Sequence, residues 1–186
     1  MSHSTFSAWT DSQQSRFQAL AGHTVLRYRA TEMALVESGP SGAPVFGRHS
    51  QPFLQLNYLQ LWLAGHPPVV VATYQNDDTW GLSLEERLVL EGDAATRTSV
   101  FREANLSQLP LGVITAVGAR RDSAGDLATI TLGFATEEIV LAAGEVYENA
   151  HGPPTVAFGD ESILVFHSSE SFHAVRKSLV AVLPSE

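Results

Sequence analysis

Residues 54–74 read Leu54-Gln55-Leu56-Asn57-Tyr58-Leu59-Gln60-Leu61-Trp62-Leu63, then Ala64-Gly65-His66-Pro67-Pro68, then Val69-Val70-Val71-Ala72-Thr73-Tyr74. Leucine alternates with polar or bulky neighbours at the two-residue period of a strand with one buried face. The apolar parity switches between Tyr58 and Leu59. A β-bulge explains such a switch, as does a strand that passes from one face of a sheet to the other. Gly65-His66-Pro67-Pro68 is turn chemistry, and the aliphatic run after it is the next strand. Asn76-Asp77-Asp78 turns the chain again, and Trp80, Leu82 and Leu84 alternate beyond it. Ser83 with Glu86 makes a capping box, so one helical turn ending at Gly92 is expected after that strand.

The second half has the same style. Ile114 and Val117 lie on a strand, Asp122-Ser123-Ala124-Gly125-Asp126 is a hairpin turn, and Ile130, Leu132 and Phe134 alternate. Glu137-Glu138 leads into the aliphatic run 139–142. Gly152-Pro153-Pro154 and Gly159-Asp160 mark two more turns, the second joining a strand over 156–158 to one over 163–166. Helices are expected near both termini. The first has Thr10 or Asp11 as N-cap with Trp9 just before it, Gly22 just past its end, Phe17 and Leu20 inward, and Gln13, Gln14 and Arg16 toward solvent. The last carries Phe172, Val175, Leu179, Val182 and Leu183 on one face, with Ser168, Ser169 or Ser171 as cap. The fold class is therefore α+β: mostly antiparallel β-meanders, with a partly closed barrel as the variant and a helix near each terminus.

One α+β domain over residues 1–186 accommodates all of this. Setting 59–74 against 130–147 aligns an alternating strand, a short turn, an aliphatic strand and a tyrosine, Tyr74 against Tyr147. Upstream, Gly22 with Val25 matches Gly112 with Ile114. Two related halves, about 10–92 and 93–186, would follow, with the Gly/Pro/Ser-rich stretch 37–50 as an insertion in the first.

The chain's 11 basic and 20 acidic residues give a formal net charge of −9, shared almost evenly between its halves. Affinity for nucleic acid depends on neutralising phosphates, so this balance argues against a nucleic-acid partner, and equally against an anionic membrane surface. The most apolar segment, 59–72, is broken by His66-Pro67-Pro68 and falls short of the roughly 20 apolar residues of a spanning helix. A cytoplasmic location is the expectation. There is no cysteine, which removes thiolate nucleophiles and thiolate metal sites.

Catalytic signatures are sparse. The only lysine is Lys177, no Gly-x-Ser-x-Gly elbow or phosphate-cradling loop occurs, and no His-Glu-x-x-His pair is present among the seven histidines. Glu148 with His151, near Glu145, is the nearest approach to a metal constellation, and His167 with His173 is another. Both are outweighed by ordinary surface roles, so no metal and no cofactor is expected. The acidic pairs Asp77-Asp78, Glu137-Glu138 and Asp160-Glu161 read as solvated turns. Trp62 is expected in the core.

Tyr74 followed by Gln75-Asn76-Asp77-Asp78, with Trp80 close behind, sets aromatic rings beside an acidic turn. Tyrosine and tryptophan bury much area while keeping a polar edge, which suits a binding surface for a basic protein. The function expected is thus a non-enzymatic acidic binding protein of bacterial type, an immunity or regulatory protein that binds a basic partner through Tyr74, Asp77, Asp78 and Trp80. The alternative is a small-molecule-binding barrel or a hydrolase, with loop 37–50 as its lid.

Overall fold

The structure, a computed structural model, describes residues 3–47, 51–87, 99–147 and 155–180. Helix α1 (His3–Gln18) leads into β1 (Thr24–Met33), β2 (Phe53–Leu63), β3 (Val69–Asn76) and β4 (Thr79–Glu86). Two short strands, β5 (Phe101–Glu103) and β6 (Gly112–Val113), precede β7 (Ala116–Arg121), β8 (Leu127–Gly133), β9 (Glu138–Tyr147) and β10 (Thr155–Phe166), and helix α2 (Ser169–Val180) follows. All ten strands join one antiparallel sheet, curled into a half-barrel, with the main path β4-β3-β2-β10-β9-β8-β7.

Strand β2 is the branch point. One edge carries β1; the other pairs with β3 over Leu59–Leu61 and then with β10 over Phe53–Leu56. The parity switch seen in the sequence is a β-bulge. Thr31 lies opposite Tyr58 and Glu32 opposite Leu56, so Asn57 is the extra residue. The bulge keeps Leu54 and Leu56 on the same core face as Leu59, Leu61 and Leu63.

Two apolar clusters fill the two faces of the sheet. The larger gathers leucines of β2 with Val71, Leu82, Ile130, Leu132, Leu141, Ile163 and Val165, and Phe17 and Leu20 reach it from the N-terminal side. The smaller sets Val140, Ala142, Leu164 and Phe166 under Phe172 of α2. Strands β9 and β10 are thus buried on both faces, which is why 139–143 is a continuous apolar run. Ser168 caps α2 by accepting the Ser171 N–H at 3.1 Å, while Glu138 accepts the Ser169 N–H at 2.9 Å. Hydrogen bonds from the Ser169 hydroxyl and then its N–H hold the Glu138 carboxyl below its usual range.

Helix α1 closes the gap between β4 and β7, the two ends of the path. Gln13 Oε1 accepts the Leu84 N–H and Arg16 donates to the Leu84 carbonyl, both at 2.9 Å. Side chains of the helix thereby occupy backbone groups that an edge strand would otherwise leave unpaired. From β7, Arg121 donates to Asp11 at 2.6 Å and to Thr10 and Gln14 at 3.2 Å.

Several local expectations change. Helix α1 begins at His3, and Thr10 is not its N-cap: its hydroxyl donates back to the Phe6 and Ser7 carbonyls inside the helix. Gln13 is buried and Gln14 half-buried, both bound to the sheet rather than turned to solvent, whereas Arg16 is exposed as expected while still donating to Leu84. Residues 84–86 remain strand, and 88–92 fall outside the described residues. The Gly159-Asp160 turn is instead a four-residue bulge in one continuous strand, because Phe158 pairs with Gly144 and Ile163 with Ala143 of the same neighbour. Trp62 is only half-buried, lying outside both clusters beneath the Arg27 guanidinium at 3.9 Å. The segment containing Gly112 pairs with β1 rather than β8, so the two glycine-opened segments set in parallel by the internal alignment lie against each other.

Candidate functional site

The β3–β4 hairpin turns at Asp77, which takes the left-handed backbone conformation with φ 50°. Gln75 ties the turn by donating from Nε2 to the Asp77 carbonyl at 3.0 Å. The hairpin tip reaches the β7–β8 hairpin. Thr79 donates to Asp126 Oδ2 at 2.7 Å, Asn76 donates to the same oxygen at 3.3 Å, and the Leu127 N–H donates to the Tyr74 hydroxyl at 3.2 Å. Asp122 pre-forms the receiving turn by accepting the Ala124 and Asp126 N–H groups.

Tyr74 also meets α1. Its ring stands at 81° to Trp9 with centroids 4.4 Å apart, and Phe6 lies 6.1 Å from Tyr74 and 6.3 Å from Trp9. Burial, reinforced by the nearby Asp126 and Asp122 charges, raises the Tyr74 pKa, so the hydroxyl keeps its proton at neutral pH.

These elements enclose an open groove of about 830 Å³. Phe6, Trp9 and Tyr74 are its aromatic walls, and Asp77 and Asp78 are its exposed acidic rim; Gln75, Asn76, Thr79 and Ala124 complete the lining. The structure therefore brings Tyr74, Asp77 and Asp78 together. Trp80 does not join them, because it pairs with Gln75 while Tyr74 pairs with Gly81, and neighbouring positions along a strand face opposite ways. Trp80 packs on the larger core cluster.

Phe6, Trp9 and Asp126 are the residues that sequence reasoning missed. The i, i+3 spacing of Phe6 and Trp9 would have shown a shared helical face had the helix been started early enough. Asp126 read as one more turn carboxylate, yet it is fully buried, and its Oδ1 has no hydrogen-bond partner among the described residues.

Other sequence candidates lie elsewhere. Glu148 and His151 are outside the described residues. Glu145 faces Asp160, Glu161 and Glu37, and burial together with those charges pushes its carboxyl up to about 7. The Tyr147 hydroxyl, aligned in sequence with Tyr74, donates to Asp160 at 2.7 Å. His167 lines a shallow hollow beside Glu137 and Glu138, and burial lowers its pKa. His23 and His66 meet edge to face at 4.3 Å beside a small cavity of about 270 Å³. No grouping of three or more potential metal ligands occurs among the described residues. Within the stretch 37–50, Val36 and Val45 bridge a small hairpin, and Glu32 receives the Gly47 N–H at 3.1 Å. Residues 37–47 line neither the groove nor these two cavities. No helix among the described residues is long and apolar enough to cross a membrane.

Among the described residues the groove's lining has no histidine, lysine or serine, and its Thr79 hydroxyl is engaged by Asp126 and the Asn76 carbonyl. The groove offers flat apolar walls, carboxylates at the rim and amides beside them. No protein-family model and no curated protein matches this chain.

Proposed function

We propose that this chain is a non-enzymatic binding protein whose groove between α1 and the β3–β4 hairpin receives a basic segment of a partner protein. The observation that carries the reading is the convergence of Phe6, Trp9 and Tyr74 with Asp77 and Asp78 on one open groove. Aromatic anchors inside a charged rim are the usual anatomy of a protein-binding hot spot. A net charge of −9 adds long-range attraction for a basic partner and speeds its encounter. A small acidic protein that neutralises or regulates its partner, as an immunity protein does, is the biological form of this proposal, with the cytoplasm as its setting.

The test is differential capture. Immobilised wild-type protein and a variant carrying Trp9→Leu, Asp77→Asn and Asp78→Asn are exposed to the same cell lysate at low and high salt, and retained proteins are identified by mass spectrometry. Support is a basic protein held by the wild type at low salt and lost both by the variant and at high salt. Identical retention by the two proteins removes the groove as the binding site.

A further inference from the structure

Behind the groove wall lies a charge that the protein itself leaves unbalanced. Asp126 is fully buried, and its partners are the neutral groups of Thr79, Asn76 and the Tyr74 hydroxyl. Its Oδ1 has no partner, and it makes no ion pair among the described residues. A buried carboxylate is ordinarily offset by a cation or by a full set of donors. Thr79 and Asn76, which hold its other oxygen, both line the groove, and Tyr74, one of the aromatic walls, stands against the carboxylate. Asp77 and Asp78 are at the mouth, Asp122 lies close to Tyr74, and the lining contains no basic side chain. Arg121, on the same β7–β8 hairpin, is held by Asp11 at 2.6 Å.

We infer that the groove is a receptor for a single arginine side chain, its guanidinium stacked on the aromatic wall of Phe6, Trp9 and Tyr74, paired with Asp77 and Asp78 at the rim and attracted by Asp126 behind that wall. The inference rests on the proposed function and names the chemical group that the groove selects. Two features favour this group. First, the three rings form one aromatic patch with neighbouring centroids 4.4 to 6.3 Å apart, and a cation seated over a ring face is attracted by it within roughly 6 Å. Second, Trp9 and Tyr74 form nearly perpendicular walls, and a planar guanidinium can stack on one wall while its N–H edge points to a carboxylate. A lysine ammonium offers the charge without the flat face, and it is more strongly hydrated.

The probes are Nα-acetylarginine amide, Nα-acetyllysine amide and the uncharged Nα-acetylcitrulline amide, which has nearly the shape of the arginine derivative. Titration into isotopically labelled full-length protein is followed by amide NMR shifts at 74–79 and at Ala124. The expected result is saturable shifts at those positions by the arginine derivative, with the lysine and citrulline derivatives about tenfold or more weaker. Trp9→Leu weakens arginine binding about tenfold. The turn variant Asp77→Asn/Asp78→Asn, which touches only exposed carboxylates, weakens it severalfold and steepens nothing in its melting curve. Equal shifts from arginine and citrulline overturn the inference, as do shifts outside the groove or binding unaffected by both variants. If the arginine derivative does not bind while capture still depends on the groove, this inference falls and the protein-binding proposal stands. If arginine binds there and no captured protein depends on the groove, the inference stands and that proposal falls.

Discussion

The end of the Tyr74 ring occupies the space that a side chain at its cross-strand partner Gly81 would need. A Cβ built on Gly81 comes within 2.5 Å of the Tyr74 oxygen and 2.6 Å of Cζ. The ring is not free to swing aside, because Trp9 packs against it and its hydroxyl accepts the Leu127 N–H. Glycine at 81 is therefore what lets Tyr74 lie across its own hairpin and form the groove wall. Gly81→Ala is expected to cost about 1–3 kcal/mol through forced displacement. In a Tyr74→Leu background the same change costs less than about 1 kcal/mol, since the space is vacated. Urea denaturation of the four proteins reads the coupling, and additive losses would show that the ring slides away freely.

At Asp126 the free Oδ1 separates charge from shape. Asp126→Asn keeps an acceptor for Thr79 and Asn76 and removes an unbalanced buried charge, so its stability stays within about 1 kcal/mol of wild type. Asp126→Ala strands both donors and costs roughly 1–3 kcal/mol. Denaturation midpoints measure the difference, and equal losses would show that the carboxylate's charge itself stabilises the fold.

Glu32 anchors the segment that follows it. Its carboxylate is almost fully buried, pairs with Arg102 at 2.7 Å and accepts the Gly47 N–H, while Arg102 stacks over Phe46 at 4.1 Å. Glu32→Gln should cost about 1–3 kcal/mol, less than a wholly buried pair because half of the Arg102 side chain is open to water. Amide hydrogen exchange at Val45 and Gly47 should quicken. Unchanged exchange would mean that the Val36–Val45 bridge alone holds this hairpin.

Glu145 makes stability depend on pH. Burial first, then Glu161, Asp160 and Glu37, raises its folded pKa to about 7 from an ordinary 4.5. Between those values the unfolded chain has released the proton that the folded chain keeps, so stability contributed by this group falls as pH rises from 4.5 to 7. Glu145→Gln, neutral throughout, should melt higher than wild type at pH 7.5 and match it more closely at pH 4.5. The same melting difference at both pH values would clear the ionised carboxylate of any penalty.

The sheet was legible because its strands carry a period in their own residues: Leu54 to Leu63 alternates around a bulge that the parity switch marks. Turns were legible where their chemistry is local, as at Asp122–Asp126. The joint at Gly159-Asp160 was misread because a large bulge and a hairpin use the same residues, and only the partner strand tells them apart. The groove was half legible for a similar reason. Tyr74, Asp77 and Asp78 are neighbours in sequence, but Phe6 and Trp9 reach them from the first turns of a helix that starts at His3, ahead of the Thr10 or Asp11 cap expected from the sequence. Asp126 is distinguished only by what covers it.

The seam-closing role of α1 sets a schedule for synthesis. The helix emerges from the ribosome before its partners: Leu84, which it caps, lies 71 residues beyond Gln13, and Arg121 lies 110 residues beyond Asp11. At translation rates of about 5–20 residues per second, the second of these partners follows roughly 5–20 s later. Until β2, β3 and β4 have followed, Phe6, Trp9, Phe17 and Leu20 lack the residues that cover them, and the nascent chain displays these side chains to whatever is near. Chaperone contact during translation should therefore concentrate on residues 6–20 and fall away once β4 has cleared the exit tunnel.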